Sequence, residues 1–145
     1  DLLSRNRGPV VTPLLKSGEL WPHQVAACKW LDNMTAACSC AALCSPFGGG
    51  ACVAAVALVN GILSSPRGAE PPPVALIITE SPRILRWKDE LRKWAPHLTV
   101  EVAPRHAAAD DPAWDVVLRA DVVLTSADYA LDDATRVRLE RQRRY

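Results

Sequence analysis

The stretch Cys44-Ser-Pro-Phe-Gly-Gly-Gly-Ala-Cys-Val53 sets three consecutive glycines between a short apolar run, Ala41 to Leu43, and a longer helix-like one, Ala51 to Leu63. Glycines at a strand-to-helix handover are the arrangement of a phosphate-binding loop. They let backbone N–H groups converge on an anion at a helix N-terminus, and a following lysine neutralises the outer phosphates. The backbone half of that design is here and the chemical half is not: after Gly50, where the motif needs Lys and then Ser or Thr, the chain has Ala51 and Cys52. No lysine occurs between Lys29 and Lys88 to stand in for the missing one.

Outward from this loop, strand-like and helix-like segments alternate. VALIIT, 74–79, is a continuous apolar run rich in β-branched residues, the pattern of a strand buried on both faces of a parallel sheet. DVVLTS, 121–126, repeats that pattern, and LTVEVA, 98–103, alternates as a further strand. The small-residue run at 38–44 also fits a buried strand, although its periodicity alone does not separate strand from helix. Helices are expected between these segments. LWPHQVAACKWLDNM, from Leu20, carries Val25, Ala26, Cys28, Trp30 and Leu31 at near-helical spacing, with Pro22 suited to a first turn. Val53 to Leu63 is an apolar helix without a polar face, which must be covered on most sides. Ser81-Pro82 opens a helix with Ile84, Leu85, Trp87, Leu91 and Trp94 at helical spacing and a polar face of Arg83, Arg86, Lys88, Asp89, Arg92 and Lys93, ending at Pro96. Asp132 or Asp133 can cap a last helix reaching Arg144.

The remaining segments read as connections: an irregular lead-in over 1–18, a polar proline-rich link over 64–73, and a loop over 105–115 with one helical turn through 116–119. The order predicts the α/β class, a doubly wound, mainly parallel sheet with helices on both faces and ligands at the carboxyl ends of the strands.

Composition narrows the function classes. At 145 residues, 49% hydrophobic and 23% charged, the chain can build one core and is not a disordered one. A net charge of +1 gives no global field towards nucleic acid or membrane. The longest apolar run, Ala51 to Val59, is too short for a bilayer span and is broken by Asn60 and Gly61. The N-terminus has neither a signal-peptide pattern nor an initiator Met, so a segment of a longer protein is expected. Arg136, Arg138, Arg141, Arg143 and Arg144, against one Glu140, form either a solvated helix face or a patch that touches phosphates. Five cysteines, four of them from Cys28 to Cys44 in stretches that read as buried, are expected as free thiols. A zinc reading of Cys38, Cys40 and Cys44 lacks a fourth ligand and the usual paired spacing, so no metal site is expected. Cys44 and Cys52 invite a redox reading, Cys52 more so because a helix N-terminus lowers a thiol pKa; the simpler reading of Cys52 is a small residue filling its place.

Four pieces, in order, resemble one known set. LWPHQVAACKWL resembles the glutamine-bearing helix that opens the ATPase lobe of Swi/Snf-type chromatin remodellers, members of helicase superfamily two. CSPFGGGACVAAVALV resembles their phosphate loop and the helix after it. PPPVALIITESPRILRWKDELRKWAP resembles the strand, turn and tryptophan-bearing helix that come next, with Trp87, Glu90, Lys93, Trp94 and Pro96 its most specific signal. ADVVLTSADYAL resembles the later strand and turn that precede the acidic box. Order and spacing agree over residues 20–131.

The resemblance implies a RecA-like helicase lobe, present in part over 19–145. It implies ATP and magnesium as ligands, and double-stranded DNA or chromatin proteins and the parent chain's second ATPase lobe as partners. It also implies a nuclear location, with no membrane and no visible targeting signal. Gln24 sits where the family's glutamine reads the adenine edge, for which an amide that both donates and accepts is suited; the ordinary alternative is a glutamine on a helix surface. Gly48, Gly49 and Gly50 match the loop that wraps the phosphates. Ser81 and Pro82, with Thr125 and Ser126, match strand-end turns that contact the nucleic-acid backbone; for Ser81, helix capping is the equal alternative.

The departures weigh more than the matches. Ala51 stands at the lysine, Cys52 at the hydroxyl that would hold magnesium, and Ser45 with Pro46 at the acidic pair before the glycines. Phosphoryl transfer rests on positioning and on neutralising charge spread over phosphate oxygens, and both cationic contributions are missing. Residues up to Tyr145 also include no Asp-Glu-Ala-His-like box, so no catalytic residue is assigned. The expectation is a lobe that has lost catalysis and persists as a scaffold or interaction module. The rival expectations are an ATP-independent DNA-binding module and an ATP-driven translocase, active in the full-length protein, whose loop cation comes from elsewhere.

Overall fold

A computed structural model describes residues 19–38, 40–46, 48–64, 74–104 and 111–130. The lead-in expected over 1–18 and the last helix over 132–144 lie outside the described residues, as does the link expected over 64–73 except for Ser64, which is helical. The chain divides into two compact units, Asp1–Ser65 with Lys93–Ala95, and Pro66–Arg92 with Pro96–Tyr145.

The first unit is built on two helices packed together, α1 (Pro22–Cys38) and α2 (Ala51–Ser64). Pro22 occupies the first helical position, where its missing N–H costs no hydrogen bond. Gln24, the third, turns its side chain back so that Oε1 accepts the Trp21 backbone N–H at 2.9 Å, half of a capping box. The core of the unit is made of small residues: Cys28, Ala54 and Ala57 are buried, with Leu20, Ala27, Val53 and Trp94 packed around them. Small side chains let the backbones approach closely enough for the Cys28 thiol to donate to the Ala54 carbonyl at 3.2 Å. Every residue of α2 from Cys52 to Leu63 is at least half-buried, as its lack of a polar face requires. Its one strongly polar residue, Asn60, is 2% exposed and accepts a hydrogen bond from Ser64 Oγ.

The strand expected over 38–44 does not form. Helix α1 runs on to Cys38, residues 40–46 are irregular, and Cys38, Cys40 and Cys44 are exposed where burial was expected. The segment Cys-Ser-Cys-Ala-Ala-Leu-Cys contains no β-branched or aromatic residue to favour a pleated surface.

The second unit holds a three-stranded parallel sheet: β1 (Ala75–Thr79), β2 (Val100–Val102) and β3 (Val122–Ser126), in the order β1-β3-β2. The α/β class and the parallel sheet are as the alternating pattern predicts. Burial is distributed differently. The run 74–79 was expected to be buried on both faces, yet β1 lies at an edge of the described sheet, is half-buried, and leaves Ile78 53% exposed. The fully buried strand is the central one, β3.

After β1 a 3₁₀ turn, Ser81–Arg83, leads into α3 (Ile84–Trp94), which buries Ile84 and Leu91. Glu80 is extended before the turn and its carboxylate pairs with Arg83 at 3.0 Å. The loop expected over 105–115 instead contains the start of a short helix, α4 (Ala113–Val117), nucleated by Asp111 Oδ1 accepting from Ala113 N–H at 2.8 Å. This helix puts Trp114, wholly buried, and Val117 against Ala103, Ala120 and Val123, with Leu76 and Leu118 at the margin. At the amino ends of β2 and β3, Asp121 Oδ2 accepts from the Thr99 N–H at 2.8 Å and hydroxyl at 2.7 Å, and Thr99 O accepts from Asp121 and Val122. A four-residue helix, α5 (Ala127–Ala130), follows β3 directly. Among the described residues no helix is long and apolar enough to cross a membrane.

Candidate functional site

The glycine loop closes against the first turn of α1. Gly48 and Gly50 adopt φ of 83° and 73°, a left-handed backbone that side chains resist. Between them the Gly49 N–H donates to Pro46 O at 3.0 Å, making a tight turn, and Ser45 Oγ donates to the same carbonyl at 3.2 Å. Gly50 O accepts from Ala54 N–H at 3.1 Å, so Gly50 is the residue from which α2 starts. A Cβ on Gly50 would overlap Gln24 Nε2, which places the Gln24 amide directly against the loop. A second tie comes from His23, whose Nε2 donates to Gly49 O at 3.1 Å, a contact that assigns the ring proton to Nε2.

Sequence reasoning on Gln24 and the glycines therefore named residues that the fold brings together. It passed over His23, next to Gln24 in the first turn of α1, and Trp21, the residue just before that helix. Trp21 is 69% exposed and meets His23 edge-on, ring centroids 6.0 Å apart at 74°.

Ala51 is exposed and Cys52 half-buried in the first turn of α2, which contains no charged side chain. Around a triphosphate with magnesium the loop supplies amides, but no cation at position 51 and no hydroxyl at position 52, and the Ser45 hydroxyl is turned onto Pro46 O. The Gly49 N–H, moreover, is taken by Pro46 O, and no cluster of three or more His, Cys, Asp or Glu able to hold a metal occurs among the described residues. The residues present do not fit that ligand. Among the thiols, Cys28 is pushed above its ordinary pKa by burial, which makes it inert rather than reactive.

In the other unit, the register pairs Thr79 with Ser126, so the turn at Ser81 and Pro82 lies next to the end of β3. Ser81 is half-buried and Pro82 exposed. Thr125 and Ser126 are 1% and 0% exposed, and among the described residues neither Oγ1 nor Oγ has a hydrogen-bond partner. The four residues thus share one end of the sheet, but two of their hydroxyls are closed off. A buried hydroxyl left unpaired costs about 1–3 kcal/mol, so this end of the strand is a place where polar partners are wanted.

No protein-family model matches the sequence, and no curated protein does. Among solved structures, the chain is similar to the SWI2/SNF2 ATPase core of Sulfolobus solfataricus in complex with dsDNA, with a TM-score of 0.69 and 22% sequence identity. The match covers 86% of this chain and 24% of that one. At such identity the likeness is one of fold: the small parallel sheet and its helices are those of a RecA-like α/β lobe.

Proposed function

We propose that this chain is part of a Swi/Snf-like helicase lobe that has kept its fold and lost phosphoryl-transfer chemistry, acting as a scaffold or interaction module in a nuclear, chromatin-associated protein. One observation carries the reading. The first turn of α2 follows the glycines as a phosphate loop requires, yet presents the methyl group of Ala51 and the thiol of Cys52 where a cation and a magnesium-holding hydroxyl are needed. The glycines persist because the turn itself requires left-handed backbone at Gly48 and Gly50, a structural need independent of nucleotide.

Titration of a fluorescent ATP analogue, with and without magnesium, tests this. The expected result is no magnesium-dependent binding in the wild type, and a gain of it in an Ala51→Lys, Cys52→Thr double variant. Tight magnesium-dependent binding by the wild type overturns the reading and returns the chain to the active translocases.

A second reading is contact with the backbone of duplex DNA without ATP turnover. It is favoured by the placement of Ser81, Pro82, Thr125 and Ser126 at one end of the sheet, where Pro82 is exposed and Ser81 half-buried, and by the duplex held by the archaeal structure. Affinity for a short duplex should then fall steeply as salt rises, through counterion release. Absence of binding at low salt removes it.

A further inference from the structure

The structure assigns a reversible oxidation site to the segment that joins α1 to the glycine loop: Cys40 and Cys44, both exposed, close into an intramolecular disulfide when the protein meets a peroxide. The site stands apart from the nucleotide question, since it uses neither the glycines nor Ala51 and Cys52.

Accessibility singles out these thiols. Cys38, Cys40 and Cys44 lie within one stretch of seven residues, and all three are exposed. Cys28 is buried with its thiol bonded to the Ala54 carbonyl, and Cys52 is half-buried. An oxidant in solution therefore meets the clustered thiols first. The backbone that carries two of them is also uncommitted. Residues 40–46 are irregular, and among the described residues no backbone hydrogen bond is made by 40–45.

A disulfide needs Cα atoms about 4.4–6.8 Å apart. On a fully extended chain Cys40 and Cys44 would be separated by about 13 Å, whereas a single helical turn sets residues at this spacing about 6 Å apart. The intervening Ala41, Ala42 and Leu43 are among the residues that enter such a turn most readily, and forming it breaks no existing backbone bond. Cys38 is placed differently. It is the last residue of α1, and the single residue between it and Cys40 is too short a link for an unstrained bridge.

The chemistry needs only the peroxide. One thiolate attacks it; an S–O bond forms as the O–O bond breaks, and the departing hydroxide takes up the thiol's proton to leave as water. The second thiol then attacks the sulfenic sulfur. An S–S bond forms, the S–O bond breaks, and a second water leaves. Two thiols have lost two electrons and two protons, and the peroxide is reduced to water. A small thiol reverses the bridge by exchange, so in a reducing compartment it is transient. Cys44 directly precedes Ser45 and Pro46, and the Pro46 carbonyl accepts from both the Gly49 N–H and Ser45 Oγ. The bridge thus sets the entry to the glycine turn.

Treatment of the dilute, reduced chain with hydrogen peroxide tests the site. Intact mass should fall by about 2 Da, the two hydrogens lost, and return with dithiothreitol. Free thiols are then blocked with iodoacetamide under denaturing conditions, and the bridge is reduced and labelled with N-ethylmaleimide. Tandem mass spectra should place the maleimide on Cys40 and Cys44 and the acetamide on Cys38. Cys40→Ser and Cys44→Ser should each abolish the mass loss, and Cys38→Ser should keep it. Because these positions are exposed, the reduced variants should keep the wild-type thermal midpoint; if one does not, the labelling pattern of the wild type decides alone. Hydrogen exchange over 41–45 should slow on oxidation and stay unchanged in α2. Maleimide on any other pair, a disulfide-linked dimer as the main product, or sulfinic acid formed without a bridge overturns the inference.

Discussion

Replacing Gly50 with alanine probes the contact that joins the start of α1 to the glycine loop. Two terms add at this position. Holding a non-glycine residue at φ 73° costs about 1–2 kcal/mol. The new Cβ also overlaps Gln24 Nε2, so the side chain must swing away and release the Trp21 N–H, a lost hydrogen bond of about 0.5–1.5 kcal/mol. The expected destabilisation is about 1.5–3.5 kcal/mol, the sum of those terms. Gly48→Ala supplies the control. Its φ is 83°, but nothing lies within 4 Å of the added carbon, so it should show only the backbone term of about 1–2 kcal/mol. Gln24→Ala completes a double-mutant cycle: with the amide already gone, Gly50→Ala should again show only the backbone term. Urea denaturation of the four cycle members should give a coupling of about 1 kcal/mol, outside the few tenths expected of independent sites. A coupling within that margin, or equal losses in Gly50→Ala and Gly48→Ala, would refute the steric argument and with it the placement of Gln24 against the loop.

Three further outcomes are expected. Trp114→Ala should cost about 3–5 kcal/mol, since it empties a wholly buried indole site between α4 and β3, whereas Leu85→Ala, at a residue 72% exposed, should stay within about 0.5 kcal/mol; similar losses in urea would contradict the described core. Asp121→Ala removes the acceptor for both Thr99 donors and should cost about 1–2 kcal/mol, with hydrogen exchange accelerated at the Thr99 amide; unchanged exchange counts against the clasp. Iodoacetamide near neutral pH should label Cys38, Cys40 and Cys44 in the native protein and reach Cys28 only after denaturation, as peptide mass spectrometry would read out. Because burial raises the Cys28 pKa in the fold, the native state keeps the proton longer than the unfolded one. Its stability contribution is whole below the ordinary thiol pKa and is lost as pH rises through the raised value. The urea midpoint should accordingly fall at alkaline pH, and fall less in Cys28→Ala; an identical decline in both proteins contradicts the assignment.

The sequence by itself determined the class of fold and the elements that periodicity can reveal. A run of β-branched residues prefers extended backbone wherever it lies, and an amphipathic repeat ending at proline prefers a helix. The segments at 74–79, 98–103 and 121–126 and the tryptophan helix follow from local preference. So does the glycine turn, because left-handed backbone at Gly48 and Gly50 is a demand on single residues. The absence of a lysine after the glycines is equally local, since a side chain that is not encoded at position 51 cannot be supplied by folding at that position.

What needed tertiary structure was everything that depends on neighbours distant in sequence. VALIIT and DVVLTS read alike, yet in the described sheet one gives an edge strand with Ile78 exposed and the other the wholly buried central strand Val122–Ser126. Strand order decides that difference, and no pattern within a strand encodes its order. The run at 38–44 looked buried because its residues are small and apolar, but burial requires a partner surface, and the fold left Cys38, Cys40 and Cys44 in solvent. Trp114 was hidden in a stretch that read as loop, because one aspartate side chain was enough to start a helix there. Gln24 was legible from its resemblance alone; its place against Gly50, and the anchoring of Trp21 and His23 beside it, arise only when α1 packs on α2. Propensity is a property of short segments, while burial and the convergence of a site belong to the whole packed chain.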